Sequence, residues 1–315
     1  MNREELDKIL DGRRIVVSVS GGKDSTACCL YLMEMGYEPH EFDRIFFDTG
    51  WEHPLLYEYV RQDLPDIVGP IESLYAEIEL DEELVPVAEQ FEKELGVPYS
   101  SMVRLVLRKG MFPSRQKRWC TDWLKGRVSQ KYFHESDVPM VNVVGIRAEE
   151  SKARALMTEW EFAPKWDLDV WRPLIDWSTQ QVIDIHQRHG VRPCRLYLEQ
   201  NADRVGCYPC IYSRKAEIRQ MSNYTPERID LIERLEEVVK GLAEKRYAAQ
   251  GETFESLNMA HPGWFQTPKR TYKDDGSTSG ECWPIRKVVS WSRTTRGGHM
   301  DQMELFTDIG PPGLR

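Results

Sequence analysis

The hydrophobic positions of the chain follow two rhythms. Residues 14–19 (RIVVSV) form a short run rich in β-branched side chains that passes directly into the polar SGGKDS. A run of this kind bounded by turn residues predicts a strand. Residues 44–48 (RIFFD) and 141–146 (VNVVGI) have the same form and end in DTGWEHP and GIRAEES. Between them, residues 55–64 and 85–95 repeat apolar side chains at helical spacing, and TACCLYLMEMGY predicts a helix just after the first strand. Apolar strands alternating with helices predict a parallel α/β sheet covered on both faces. Ligands in such sheets lie at the carboxyl ends of the strands, so the three polar loops are where chemistry is expected.

Further along, Thr225 is placed to cap a helix with Pro226 at its first position. Ile229, Ile232, Leu235, Val239 and Leu242 continue it at helical spacing. From Gly251 the composition turns to Gly, Ser, Thr, Pro and Lys with scattered Trp, which reads as an irregular extension ending in a flexible tail. The expected organisation is a nucleotide-binding domain over 1–190, a cysteine-containing segment and helix over 191–250, and the extension over 251–315. No internal repeat is evident.

Composition sharpens this only locally. The 315 residues carry a net charge of −9, and 41% are hydrophobic, enough for a sizeable core. No apolar run approaches the ~18 residues of a membrane span. The start, MNREELDKIL, lacks the apolar centre of a signal peptide, so a cytoplasmic chain with no membrane partner is expected. Charge reverses sharply along the chain. Residues 72–95 hold nine acidic residues and one Lys, whereas residues 104–127 hold eight basic residues and one Asp. Arg104, Arg108, Lys109, Arg115, Lys117 and Arg118, with Phe112 and Trp119 among them, suit a surface that grips nucleic-acid phosphates and stacks bases. The same residues equally suit intramolecular pairing with the acidic segment, or a pocket for a charged nucleotide.

The loop Ser20-Gly21-Gly22-Lys23-Asp24-Ser25 stands between a strand and a helix. Glycines allow close backbone approach to a phosphate, and helix N-terminal amides bind the anion. Lys23 and the Ser25 hydroxyl add charge and donors. The spacing is not that of GxxxxGK[ST]. It resembles the PP-loop, SGGxDS, of the N-type ATP pyrophosphatases, which cleave ATP between the α and β phosphates. Asp48-Thr49-Gly50 resembles the DTG motif of the phosphoadenosine phosphosulfate reductase family. Gly145-Ile146-Arg147-Ala148-Glu149-Glu150-Ser151 with Arg154, and Trp171 to Trp177 (WRPLIDW), resemble two further segments of that family. The resemblance spans about residues 10–215. It implies an adenine-nucleotide α-hydrolase-like (Rossmann-like) sheet of about five strands, with ATP and magnesium as ligands. By the same resemblance Ser18, Ser20, Gly21, Gly22, Lys23, Asp24 and Ser25 hold the nucleotide, Asp48 lies near it, and Arg147 and Arg154 face its phosphates. Lys23, Asp24, Lys125 and Arg147 are the implied catalytic set. Surface ion pairing with Glu149 or Glu150 is the plainer role for the two arginines.

Seven cysteines in a chain without an export signal point to metal or redox chemistry rather than disulfides. Cys207 and Cys210 form a Cys-x-x-Cys, Cys194 lies thirteen residues earlier, and Cys120 sits in RWCTDWLK. A Cys-x-x-Cys alone serves zinc, iron–sulfur or dithiol chemistry. R-x-C-T-x-x-L-K followed by G-C-x-x-C resembles the cluster-bearing branch of the family, which implies a 4Fe–4S cluster on Cys120, Cys194, Cys207 and Cys210; zinc is the alternative. Cys28 and Cys29, on an apolar helix, read as buried packing residues.

Assimilatory sulfate reductases of this family use a C-terminal E-C-G-[IL]-H cysteine, whereas this chain has Glu281-Cys282-Trp283-Pro284. Cluster-bearing adenylyl-sulfate reductases use a Cys-Cys pair where Cys120 is followed here by Thr121. The form instead resembles the ATP-pyrophosphatase component of DNA phosphorothioation systems (the Dnd and Ssp kinds). That resemblance implies activation of a DNA phosphate oxygen by adenylylation, and sulfur from a cysteine desulfurase or another donor. A sulfonucleotide reductase, a tRNA-sulfurating enzyme and a non-catalytic nucleotide sensor stay open. Residues 302–306 (QMELF) resemble the short peptide by which bacterial DNA-processing proteins dock on the sliding clamp; packing of Leu305 and Phe306 on the chain's own domain is the alternative.

Overall fold

Residues 2–257, 259–272 and 278–295 are described by a computed structural model. The chain divides into two units, Met1–Arg108 with Arg118–Tyr208, and Lys109–Lys117 with Pro209–Arg315.

The first unit opens with α1 (Arg3–Leu10), β1 (Arg14–Ser18), α2 (Lys23–Glu34) and β2 (Asp43–Phe47). A π-helical turn, Tyr59–Asp63, joins α3 (Pro54–Glu58) to α4 (Pro65–Val68), so the apolar repeat of 55–64 is helical but not one regular helix. Then come β3 (Glu72–Leu74), α5 (Val85–Leu95), α6 (Ser101–Lys109) and α7 (Trp119–Thr121). A second π-helical turn, Asp122–Gly126, leads into α8 (Arg127–His134). β4 (Met140–Val144), β5 (Trp160–Ala163), β6 (Leu168–Trp171), α9 (Thr179–Arg188) and α10 (Arg195–Glu199) complete the unit.

The six strands run in the order β3-β2-β1-β4-β6-β5, all parallel except the edge strand β5, which is antiparallel to β6. In register, Val16 lies beside Asp43 on one side and Asn142 on the other. Alternation then sorts the side chains. Ile15 and Val17 pack with Cys28, Cys29 and Leu30 of α2 and Val182 and Ile185 of α9, whereas Val16, Ile45 and Val170 pack with Phe133 of α8. Both faces are therefore dry and covered, as a parallel sheet requires. Burial pushes the Cys29 thiol up to about 12, in keeping with a packing residue. The chain winds away from β1 in both directions, through β2 and β3 and through β4 and β6. That divergence puts the switch point, where such sheets bind ligands, at the carboxyl ends of β1 and β4.

The second unit contains α11 (Lys215–Tyr224), α12 (Pro226–Ala248), a hairpin of β7 (Phe265–Tyr272) and β8 (Thr278–Trp283), and α13 (Ile285–Ser292). The stretch after Gly251 is thus less irregular than its composition suggests. Lys, Pro and Gly interrupt the alternation by which its strands would be recognised. Thr225 precedes α12 as expected, but its hydroxyl donates to the Met221 carbonyl of α11 and does not cap α12. Among the described residues no helix is long and apolar enough to cross a membrane. Residues 302–306 lie outside the described residues.

One buried acid ties this unit together. The Glu236 carboxylate accepts from the backbone N–H groups of Trp264 and Ile285, both at 2.9 Å. Burial nevertheless pushes its carboxyl up to about 7, against an ordinary value of 4.5. The fold therefore holds this proton more tightly than the unfolded chain does. Its contribution is full below about pH 4.5 and is lost as pH rises through 7, a change of up to about 3 kcal/mol. Urea unfolding of the second unit is expected to show higher stability at pH 5 than at pH 8, and Glu236→Gln is expected to flatten that dependence.

Candidate active site

The loop after β1 turns on Gly21, whose φ of +71° lies in the left-handed region. A Cβ there would stand 2.3 Å from Leu56 Cδ1 and 2.7 Å from Val60 Cγ2, so glycine is required on both counts. The Ser25 hydroxyl accepts from the Ser20 N–H and donates to the Gly22 carbonyl, both at 3.0 Å. Ser25 thus braces the loop from inside. Gly22 begins α2 without a side-chain capping bond. The first-turn amides and the positive end of a twelve-residue helix consequently lie at the switch point, where an anion is favoured.

Charge is organised around Asp24. Its carboxylate lies 3.2 Å from Lys23 Nζ and accepts from Arg147 Nε at 2.5 Å. Arg147 enters from the end of β4 and is almost fully buried; its Nη1 also donates to Glu149 at 3.1 Å. The close approach depends on Gly145. A Cβ on that residue would lie 2.6–2.7 Å from the backbone of Asp24 and Ser25. Lys23 and Arg147 are balanced there by Asp24 and Glu149, so the pull on a phosphate comes from the amides at the start of α2.

Two residues outside the expected set hold the loop from α9 and α10. His186 Nε2 lies 2.9 Å from the Lys23 carbonyl, and Tyr197 packs against Gly22, its ring 5.5 Å from Lys23 Nζ. The sequence carries a signal for His186: it takes a buried position on α9 beside Val182 and Ile185, where a polar ring needs a partner.

At the end of β2, Asp48 accepts from Gly50 N, Tyr57 Oη and Arg61 Nη2, each at 2.8 Å. The Tyr57 hydroxyl is also 2.8 Å from the buried Glu52 carboxylate. Burial first, then Glu52 and Asp48, raise this phenol far above its ordinary value, so it stays a donor. Glu52 further accepts from Thr49 N, Thr49 Oγ1 and Trp51 N. This network shapes the DTG turn, where Gly50 has a φ of +67° and a Cβ would meet Ser100 Cα at 2.3 Å.

The other expected residues are placed as follows. Ser18 donates to Asn142 Oδ1 of β4 at 2.7 Å. Lys125 sits half-buried on the π-helical turn. Arg154 pairs with Glu150, the plainer of its two expected roles. Cys194 is buried in the main core with its thiol toward the Leu55 carbonyl, and burial pushes it up to about 11. Cys207 forms a bridge with Glu52, its sulfur 4.0 Å from Oε1. Among the described residues no three His, Cys, Asp or Glu side chains lie close enough to share a metal ion. Within the first unit Cys120, Cys194 and Cys207 therefore share no metal ion as placed, and Cys210 belongs to the second unit.

The basic stretch is also divided. Arg104 forms a two-pronged pair with the buried Glu92, at 2.7 and 3.0 Å, taking the intramolecular role. Phe112 is buried against Trp264, with ring centres 5.4 Å apart, and does not offer a face for a base. Arg108, Arg115, Lys117 and Arg118 remain exposed. Arg104→Ala is expected to destabilise the first unit by about 3 kcal/mol in urea unfolding, because Glu92 loses its counter-charge.

Comparison with known proteins places this geometry. The model of the phosphoadenosine phosphosulfate reductase domain matches residues 14–213. An uncharacterized 37.8 kDa protein of Escherichia phage 186 is 28% identical over 90% of this chain and 89% of its own length. An uncharacterized nin region protein of Escherichia phage lambda is 26% identical over 61% of this chain and 68% of its own. Among solved structures, the phosphoadenylyl-sulfate reductase of Candida auris, a phosphate complex, is 17% identical with a TM-score of 0.46, covering 67% of this chain and 90% of that one. With its motifs at the carboxyl ends of β1, β2 and β4 and the family model matching well over half its length, the chain belongs to the phosphoadenosine phosphosulfate reductase domain family.

Proposed function

We propose that this protein is a PP-loop ATP pyrophosphatase that activates a DNA phosphate oxygen for replacement by sulfur. The observation that carries the reading is the Lys23–Asp24–Arg147 arrangement beside uncapped helix amides at the sheet's switch point. An acceptor oxygen attacks the α-phosphorus of magnesium-bound ATP, a P–O bond forms, and the bond to the β-phosphate breaks. Pyrophosphate leaves into the loop, where the α2 amides and Lys23 take up its charge. Arg147 and Lys125 stabilise the charge that builds on the α-phosphate, and Asp24 orients both neighbouring cations. The adenylylated oxygen is then a leaving group. The terminal sulfur of a persulfide donor, such as that of a cysteine desulfurase, displaces AMP, and a thiol cleaves the remaining S–S bond. The sliding-clamp peptide at 302–306 would deliver the protein to DNA in this scheme.

The test is pyrophosphate and AMP release from ATP by protein purified without oxygen, with and without duplex DNA or tRNA, alongside its iron and zinc content. Pyrophosphate release stimulated by duplex DNA supports the reading. Stimulation by tRNA alone moves the acceptor, and no pyrophosphate under any condition overturns it.

A further inference from the structure

Exposed cations of the first unit gather around two tryptophans, Trp123 and Trp166. Trp123, on the second π-helical turn, carries the Arg127 guanidinium 4.1 Å from its ring centre and that of Arg108 at 5.6 Å. Trp166, between β5 and β6, carries Lys165 Nζ at 4.2 Å. Asp122 joins the two groups, accepting from Lys165 at 2.8 Å and from Arg127 at 3.3 Å. Gly126 completes the contact, since a Cβ there would stand 2.2 Å from the Trp166 ring. Arg108, Arg127 and Lys165 are exposed, whereas both rings are half-buried. Trp166 packs on the sheet face that carries Val16, Ile45 and Val170.

An aromatic face holds a cation by its quadrupole and limits its rotamers, so these long side chains are preorganised. Rings already engaged by their own cations make poor stacking platforms for unpaired bases. What the surface presents is a fixed set of positive donors, which suits a ligand that displays regularly spaced phosphates and keeps its bases inside.

We propose that the Trp123–Trp166 platform binds the sugar–phosphate backbone of duplex DNA through Arg108, Arg127 and Lys165. This deepens the proposed function and rests on its choice of DNA as acceptor. Asp122 sets the strength: it neutralises part of the charge and locks Arg127 and Lys165 together. The Lys165 contact, opposed by burial and helped by Arg127, draws its carboxyl below the usual range, so it is ionised while the platform works.

The experiment is fluorescence anisotropy of a labelled duplex oligonucleotide against salt, with no ATP present, so that it stands apart from the pyrophosphate assay. The slope of log K against log salt is expected to become shallower by about 0.9 for each of Arg108→Gln, Arg127→Gln and Lys165→Gln, and by about 2.7 in the triple variant. Asp122→Asn is expected to tighten binding several-fold, a gain that damage to the fold does not produce. An unchanged slope in the triple variant, or no gain in Asp122→Asn, overturns the proposal. Tighter binding of a labelled single strand, or displacement of the duplex by magnesium-ATP, also overturns it by assigning the platform to another ligand. Loss of pyrophosphate release with duplex binding intact counts against the proposed reaction alone.

Discussion

Gly145→Ala is expected to lower pyrophosphate release at least about a hundredfold while leaving most of the sheet intact. The added methyl would stand 2.6 Å from the Asp24 carbonyl carbon and 2.7 Å from both the Asp24 oxygen and the Ser25 nitrogen. These are backbone atoms of the first turn of α2, and no rotamer change relieves the clash. The loop and its helix must move off β4, carrying Lys23 and Asp24 with them. A displacement on the order of 1 Å in positioning groups costs about 10²-fold in rate, and overpacking costs about 1–3 kcal/mol in stability. Gly241→Ala, in α12, is the matched comparison, since a Cβ there meets nothing within 4 Å. It is expected to raise stability by about 0.5–1 kcal/mol. Pyrophosphate assays and urea unfolding of both variants check the pair; wild-type turnover in Gly145→Ala would show that the β4–α2 contact does not set the loop.

Arg147→Ala has the second large effect. The arginine side chain is 4% exposed and its partner Asp24 14%. Removing it leaves a largely buried carboxylate with Lys23 alone, a loss of about 3–5 kcal/mol. If Arg147 also carries phosphate charge, turnover falls by about 10²–10³-fold beyond the effect of instability. Arg147→Lys keeps the charge and loses the forked geometry, so an intermediate result is expected. The double variant Asp24→Asn with Arg147→Met separates the two roles. Recovery of stability with turnover depressed well below that of Asp24→Asn alone assigns Arg147 to phosphate; turnover equal to that of Asp24→Asn would reduce it to a structural ion pair.

Much of this site is visible along the chain because its information is local. A β-branched run followed by SGGKDS states a strand, a turn that needs glycine, and a helix start, all within a dozen residues. The same holds for DTG after residues 44–48 and for GIR after residues 141–146, and the winding rules for parallel sheets bring the three to one edge. The partners of those motifs are not visible in the same way. Glu52 and Tyr57 close on Asp48 within one loop, but only the folded turn directs all three polar groups to the same point. His186 and Tyr197 reach the phosphate loop from more than 160 residues away, a distance that no periodicity spans.

Charge shows the same division. The basic and acidic stretches are plain in the sequence, and either mutual pairing or a nucleic-acid surface fits their composition. The tertiary structure distributes the roles residue by residue: Arg104 to Glu92, Phe112 to Trp264, and Arg108 to Trp123 with Arg127. The cysteines differ again, because a spacing of thiols states only that they can meet, and Cys194 instead packs in the core against the Leu55 carbonyl. By itself, the sequence determined the parallel α/β sheet, the loops at its carboxyl edge and the family. Only the tertiary structure decided which side chains hold those loops and which cations stay exposed, because both depend on non-local packing that buries one partner and leaves another in water.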